Sequence, residues 1–178
     1  MANYITISRI FLILPILYLV SDQNAGSNWA ALVLFIIAGM TDHFDGYIAR
    51  KTGTASPLGA LLDLIADKLL ICVPMIFLLS LSDKNDLLFP AMVIISRELI
   101  VSSLRQFLAE SLGTNPIKVS LIAKSKTMTQ IVALSFFMIS PNFNETFYLL
   151  TQLLFWVAAY ISVHSLYDYL KTYKNNFK

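Results

Sequence analysis

The chain has 178 residues, of which 57% are hydrophobic and only 13% charged. Soluble domains carry roughly 25% charged residues, so a soluble fold would need a larger core than one chain of this length encloses, and a bilayer is the better solvent. A net charge of +2 with no massed basic block excludes a nucleic-acid partner, and the single cysteine, Cys72, excludes an intrachain disulfide and reads as a buried thiol.

Six apolar stretches follow one another at 5–20, 29–49, 58–81, 87–109, 120–140 and 146–170. Most approach the ~20 residues that a helix needs to cross a ~30 Å hydrocarbon core. The first is interrupted by Arg9, whose long stem is expected to let the guanidinium snorkel to the headgroups, with the opening residues at the interface before the helix turns inward. Asp22, Gln23 and Asn24 follow it where a cleaved leader would carry small residues, so it reads as a retained membrane segment. The fourth carries Pro90 near its start, where a missing amide donor costs little. The expected architecture is an all-α integral membrane protein, a bundle of six transmembrane helices forming a single catalytic domain over 1–178.

Charge sets the expected orientation. With the N-terminus cytoplasmic, the inside collects Arg9, Arg50, Lys51, Arg105, Lys118, Lys124, Lys126, Lys171, Lys174 and Lys178, and the outside keeps Lys84. This is the asymmetry of the positive-inside rule, and an even number of spans returns the C-terminus to the same side.

The chemistry concentrates between the second and third stretches, in DHFDGYIARKTGTASPLGALLDLIAD. Asp42 and Asp45 are three residues apart at the inner end of one predicted helix; Asp63 and Asp67 are four apart near the inner start of the next. Each spacing places both side chains on one helix face. Packing of the two antiparallel helices would bring four carboxylates into one water-filled cleft facing the cytoplasm. Such a cluster repels itself unless cations intervene, and oxygen-only ligands suit two hard divalent ions, Mg²⁺ or Mn²⁺, able to clamp a phosphoryl group. Gly46 and Gly59 remove bulk beside the proposed ions, and Arg50 can grip a phosphate in bidentate fashion.

The pattern D-x2-D-G-x2-A-R-x8-G-x3-D-x3-D, met here by Asp42, Asp45, Gly46, Ala49, Arg50, Gly59, Asp63 and Asp67, resembles the signature of the CDP-alcohol phosphatidyltransferases. Asn3, Thr6 and Arg9, the segment RELIVSSLR and the segment KSKTMTQ are similar to the phosphatidylglycerophosphate synthase branch. Leu64 and Ala60 depart from it, where relatives often carry proline and a polar residue.

The resemblance implies a six-helix homodimer in the inner (cytoplasmic) membrane, in contact with membrane lipids and with its site open to the cytoplasm. It implies transfer of the phosphatidyl group of CDP-diacylglycerol to sn-glycerol 3-phosphate with release of CMP. Asp42, Asp45, Asp63 and Asp67 match the metal ligands and Asp67 the general base, while Gly46, Ala49, Arg50 and Gly59 match positions bordering the CDP moiety. Arg105, Lys124 and Lys126, near the cytoplasmic side of their helices, are expected to bind the acceptor's phosphate. Arg97, by contrast, lies ~15 Å into its helix and reads as a structural pairing inside the bundle or across a dimer, with the adjacent Glu98 pointing elsewhere. Rival readings are the same chemistry with phosphatidylglycerol, inositol phosphate or another alcohol as acceptor, a divalent-cation transporter, and a membrane scaffold.

Overall fold

Backbone amides and carbonyls that cannot reach water must satisfy each other, and within a single segment only a helix does so. Each of the six apolar stretches is accordingly one helix in the computed structural model, which describes the backbone of residues 2–52, 57–112 and 121–176 and the side chains at 6–41, 59, 61–104, 106–107 and 126–171. The helices are α1 (Ala2–Ser21), α2 (Ala25–Thr52), α3 (Pro57–Leu81), α4 (Leu88–Leu112), α5 (Leu121–Ile139) and α6 (Glu145–Asn176), with a short 3-10 turn at Ser140–Asn142 before α6. No strand occurs among the described residues.

Local chemistry explains the joints. Gln23 takes a left-handed backbone (φ 49°) between α1 and α2. Pro57 opens α3, where its missing amide proton would have been unsatisfied in any case. Asn144 caps α6, its side-chain oxygen accepting from the Phe147 amide at 3.2 Å, and Glu145 places a negative charge in the first turn, where the helix dipole favours it. One expectation fails here: α1 runs unbroken from Ala2 through Arg9 to Ser21, so its opening residues form no separate interfacial turn.

α1 packs against both α2 and α3, which touch each other less than either touches α1. α5 joins this group to the rest, meeting α2, α3 and α6, and α4 packs on α6. Ile16, Phe35, Met75, Ile94, Leu134 and Phe155 are wholly buried between them. The outward faces are equally apolar, with Phe11, Leu14, Tyr18, Val33, Phe89, Leu149 and Tyr160 exposed. Helices apolar on every side suit a hydrocarbon surround. Two segments, Leu61–Leu81 and Glu145–Lys171, are long and apolar enough to cross a membrane.

One end of the bundle is closed by polar contacts. Ser27 donates to Asp22 at 2.5 Å, Asn28 to Asn142 at 3.0 Å and Gln152 to Asp86 at 2.9 Å. Trp29 lies edge-on to Phe143, which stacks on Phe147. The aspartate-bearing segments of α2 and α3 approach the opposite end, flanking the 53–56 connection.

Candidate active site

Asp63 and Asp67 lie on the first turns of α3, four residues apart, so their carboxylates share a face. Both are partly open to solvent, with side-chain exposures of 38% and 48%. Between them reaches Arg9 from α1, wholly buried. Its Nη1 donates to Asp67 Oδ1 at 2.9 Å and lies 3.6 Å from Asp63 Oδ1. The guanidinium therefore does not snorkel to a headgroup region as expected. Two carboxylates at matching depth give it a charge partner inside the bundle, and a buried cation gains more from such a partner than from a longer path to water.

Asp42, Asp45, Gly46, Ala49 and Arg50 all lie on the last turns of α2, the helix before α3. Their side chains, with those of His43, Arg105 and Lys124, lie outside the described residues. Gly59 stands one turn ahead of Asp63 and is half-buried. The described part of the site fits a divalent ion by its donor chemistry: Asp63 and Asp67 offer only oxygens, converge on one face, remain accessible, and already draw a cation between them. Among the described residues no cluster of three or more acidic, histidine or cysteine side chains forms.

A second polar cluster lies deeper. Glu98 of α4 is buried, and its Oε1 accepts from Lys126 Nζ of α5 and, at 3.1 Å, from Gln130 Nε2. Its Oε2 lies 3.5 Å from Lys68 Nζ of α3, which also donates to the Glu98 carbonyl at 3.2 Å. Gln130 Nε2 donates onward to Ser162 Oγ of α6 at 3.1 Å. Arg97 is buried, as anticipated for a pairing within the bundle: Nε donates to the Ser162 carbonyl at 3.2 Å and Nη2 to Ser165 Oγ at 2.8 Å. Its Nη1 comes within 3.7 Å of Glu98 Oε1, so the two neighbours do not point wholly apart.

Lys126, expected to meet an acceptor phosphate, is thus held against a carboxylate, with its side chain 8% exposed. Cys72 is half-buried rather than buried, and His164 pairs with Asp168 one turn on, at 3.5 Å. Lys68 and Glu98 had no place in the site read from sequence. The available signal was depth: Lys68 follows Asp67 directly, and an ionisable residue far inside an apolar helix needs a partner.

The CDP-alcohol phosphatidyltransferase family matches residues 1–164. A Rickettsia bellii protein named CDP-diacylglycerol--glycerol-3-phosphate 3-phosphatidyltransferase is 39% identical over 178 residues, covering 98% of this chain and 96% of its own. Its namesake in Rickettsia typhi is 37% identical over 98% of this chain and 97% of its own. A third, from Salmonella choleraesuis, is 34% identical over 94% of this chain and 93% of its own. The chain belongs to the CDP-alcohol phosphatidyltransferase family and is an enzyme of that class.

Proposed function

We propose that this enzyme transfers the phosphatidyl group of CDP-diacylglycerol to sn-glycerol 3-phosphate, giving phosphatidylglycerophosphate and CMP. One observation carries the reading: relatives named for that reaction match nearly the whole chain, including the segment that bears the paired carboxylates of α3. Family membership sets the transporter and scaffold readings aside.

In this reading the 178 residues form one catalytic domain of six membrane spans, acting as a homodimer in the inner membrane, with both termini and the site on the cytoplasmic side. Asp42, Asp45, Asp63 and Asp67 would hold two Mg²⁺ or Mn²⁺ ions, which would supply positive charge for the donor's pyrophosphate and the departing CMP. Gly46, Ala49 and Gly59 leave room for the CDP moiety, and Arg50 grips a phosphate of the donor. Arg105, Lys124 and Lys126 receive the acceptor's phosphate. Asp67 takes the proton of the acceptor hydroxyl as its oxygen bonds to the phosphorus carrying the lipid and the bond to CMP breaks. Arg9 holds Asp67 Oδ1 and so fixes the carboxylate's orientation. Catalysis here is chiefly placement and charge neutralisation.

The test is CMP release by purified protein given CDP-diacylglycerol and, separately, sn-glycerol 3-phosphate, phosphatidylglycerol, inositol phosphate or serine. Turnover with sn-glycerol 3-phosphate well above the others is the expected result. Preference for phosphatidylglycerol would make the enzyme a cardiolipin synthase and overturn the acceptor assignment.

A further inference from the structure

Glu98 divides its carboxylate between two helices. Oε2 faces Lys68, the residue directly after Asp67 on α3. Oε1 takes Lys126 and Gln130 of α5. A second bond from Lys68 to the Glu98 carbonyl fixes the α3 side. On the α5 side, Gln130 Nε2 spans Glu98 Oε1 and Ser162 Oγ, which uses both hydrogens of its amide and fixes the side chain's direction. The carboxylate is therefore a brace between the helix bearing Asp63 and Asp67 and the helix bearing Lys126.

A buried carboxylate is a costly way to join helices, because apolar side chains of similar volume do it without desolvating charge. What it adds is placement. An ammonium carries three N–H donors, and the bond to Glu98 uses one. The bond to Glu98 fixes where the Lys126 ammonium sits and leaves two of its N–H donors unused by that bond. We propose that Glu98 is a positioning residue for acceptor capture, holding Lys126 at a set distance from the carboxylates of α3 so that the acceptor's phosphate docks with its hydroxyl at the reacting phosphorus. This rests on the reading of Lys126 as a phosphate ligand. In that reading CDP-diacylglycerol is gripped by residues of α2 and α3, and neither Asp63 nor Asp67 bonds to Glu98.

The experiment is steady-state CMP release by the full-length purified protein, varying each substrate in turn. Glu98→Gln keeps the side chain's shape but sets an uncharged amide against Lys126. It is expected to raise the KM for sn-glycerol 3-phosphate about tenfold, the loss of roughly one charge-assisted contact, with the KM for CDP-diacylglycerol within about twofold. Glu98→Asp, which restores the charge on a shorter stem, is expected to recover part of that loss. Lys126→Ala serves as the reference. If it raises the acceptor KM while folded Glu98→Gln does not, the positioning role is overturned and the acceptor reading stands. If neither moves it, the acceptor role of Lys126 falls and the proposal with it. Equal rises in both KM values for Glu98→Gln mark a merely structural residue and also overturn the proposal. Should Glu98→Gln fail to fold, Gln130→Leu removes one support of Oε1 without changing charge. It is expected to raise the acceptor KM by about threefold, and a folded Gln130→Leu with a wild-type acceptor KM would overturn the brace.

Discussion

Two charged clusters within one bundle have opposite imbalances among their described side chains. Toward the end where α2 leads into α3 a single guanidinium, Arg9, faces two carboxylates, Asp63 and Asp67. Deeper in, a single carboxylate, Glu98, faces the cations of Lys68, Lys126 and Arg97. Arg9 is fully buried while its carboxylates are partly exposed. In the second cluster the carboxylate is the buried centre, and Lys68 is its most exposed member at 24%. The first arrangement suits added cations and the second an added anion. The proposed reaction needs both, since it brings a pyrophosphate to divalent ions and a second phosphate to protein cations. On that reading, separate clusters would let the protein meet two anionic substrates without one site of mixed demand.

The comparison breaks most visibly at Asp67. In Asp67→Asn the acidic cluster loses a charge and the proposed proton acceptor, so kcat should fall by about 10²–10⁴-fold. The protein should still fold and bind CDP-diacylglycerol, because the residue is about half exposed and the change keeps its shape. CMP release and donor binding by the same preparation decide the matter. Near-wild-type turnover would remove Asp67 from the chemistry.

Much of this was legible in the chain itself. Six apolar runs became six helices, and two of them are long and apolar enough to cross a membrane. The spacings of Asp63 and Asp67 put them on one face, as they lie here. What stayed illegible was the direction of buried charge. Arg9 finds its partner 58 residues away and Glu98 meets Lys126 28 residues away. Helical periodicity reports only on neighbours three or four apart. Depth was the one usable clue. Arg9 is ~10 Å along α1 from Ala2 and Asp67 ~15 Å along α3 from Pro57, so helices entering from the same side hold them at similar levels. Rotation about each helix axis then decides between lipid, solvent and partner, and only packing fixes that rotation.

Arg97 sharpens the comparison by separating structural from functional cations in the basic cluster. Its hydrogen bonds to the Ser162 carbonyl and Ser165 Oγ tie it to α6, beside its 3.7 Å approach to Glu98. Arg97→Met should cost about 1.5–3 kcal/mol of stability through lost hydrogen bonds to a charged group. Both KM values should stay near wild type in the folded variant, measured alongside its melting temperature. A selective rise in the acceptor KM would instead place Arg97 with Lys126.

The smallest expected effect tests whether the acidic cluster is built for exchangeable cations. On the proposed reading a divalent ion would neutralise Asp63 and Asp67, the two carboxylates that Arg9 already contacts. In Arg9→Gln the two carboxylates repel each other without that relief. Stability in the presence of a chelator should fall by about 1 kcal/mol, a modest figure because the carboxylates are partly exposed and screened. Saturating Mg²⁺ should restore part of the loss, since binding to the folded state alone stabilises it by mass action. The sign follows directly: with the competing cation gone, the folded protein gains more from metal than wild type does. Melting temperatures of both proteins, with chelator and with Mg²⁺, read this without any turnover. Equal metal-induced shifts in the two would mean that Arg9 and the ion do not share the carboxylates, and that the guanidinium is only a packing element of α1.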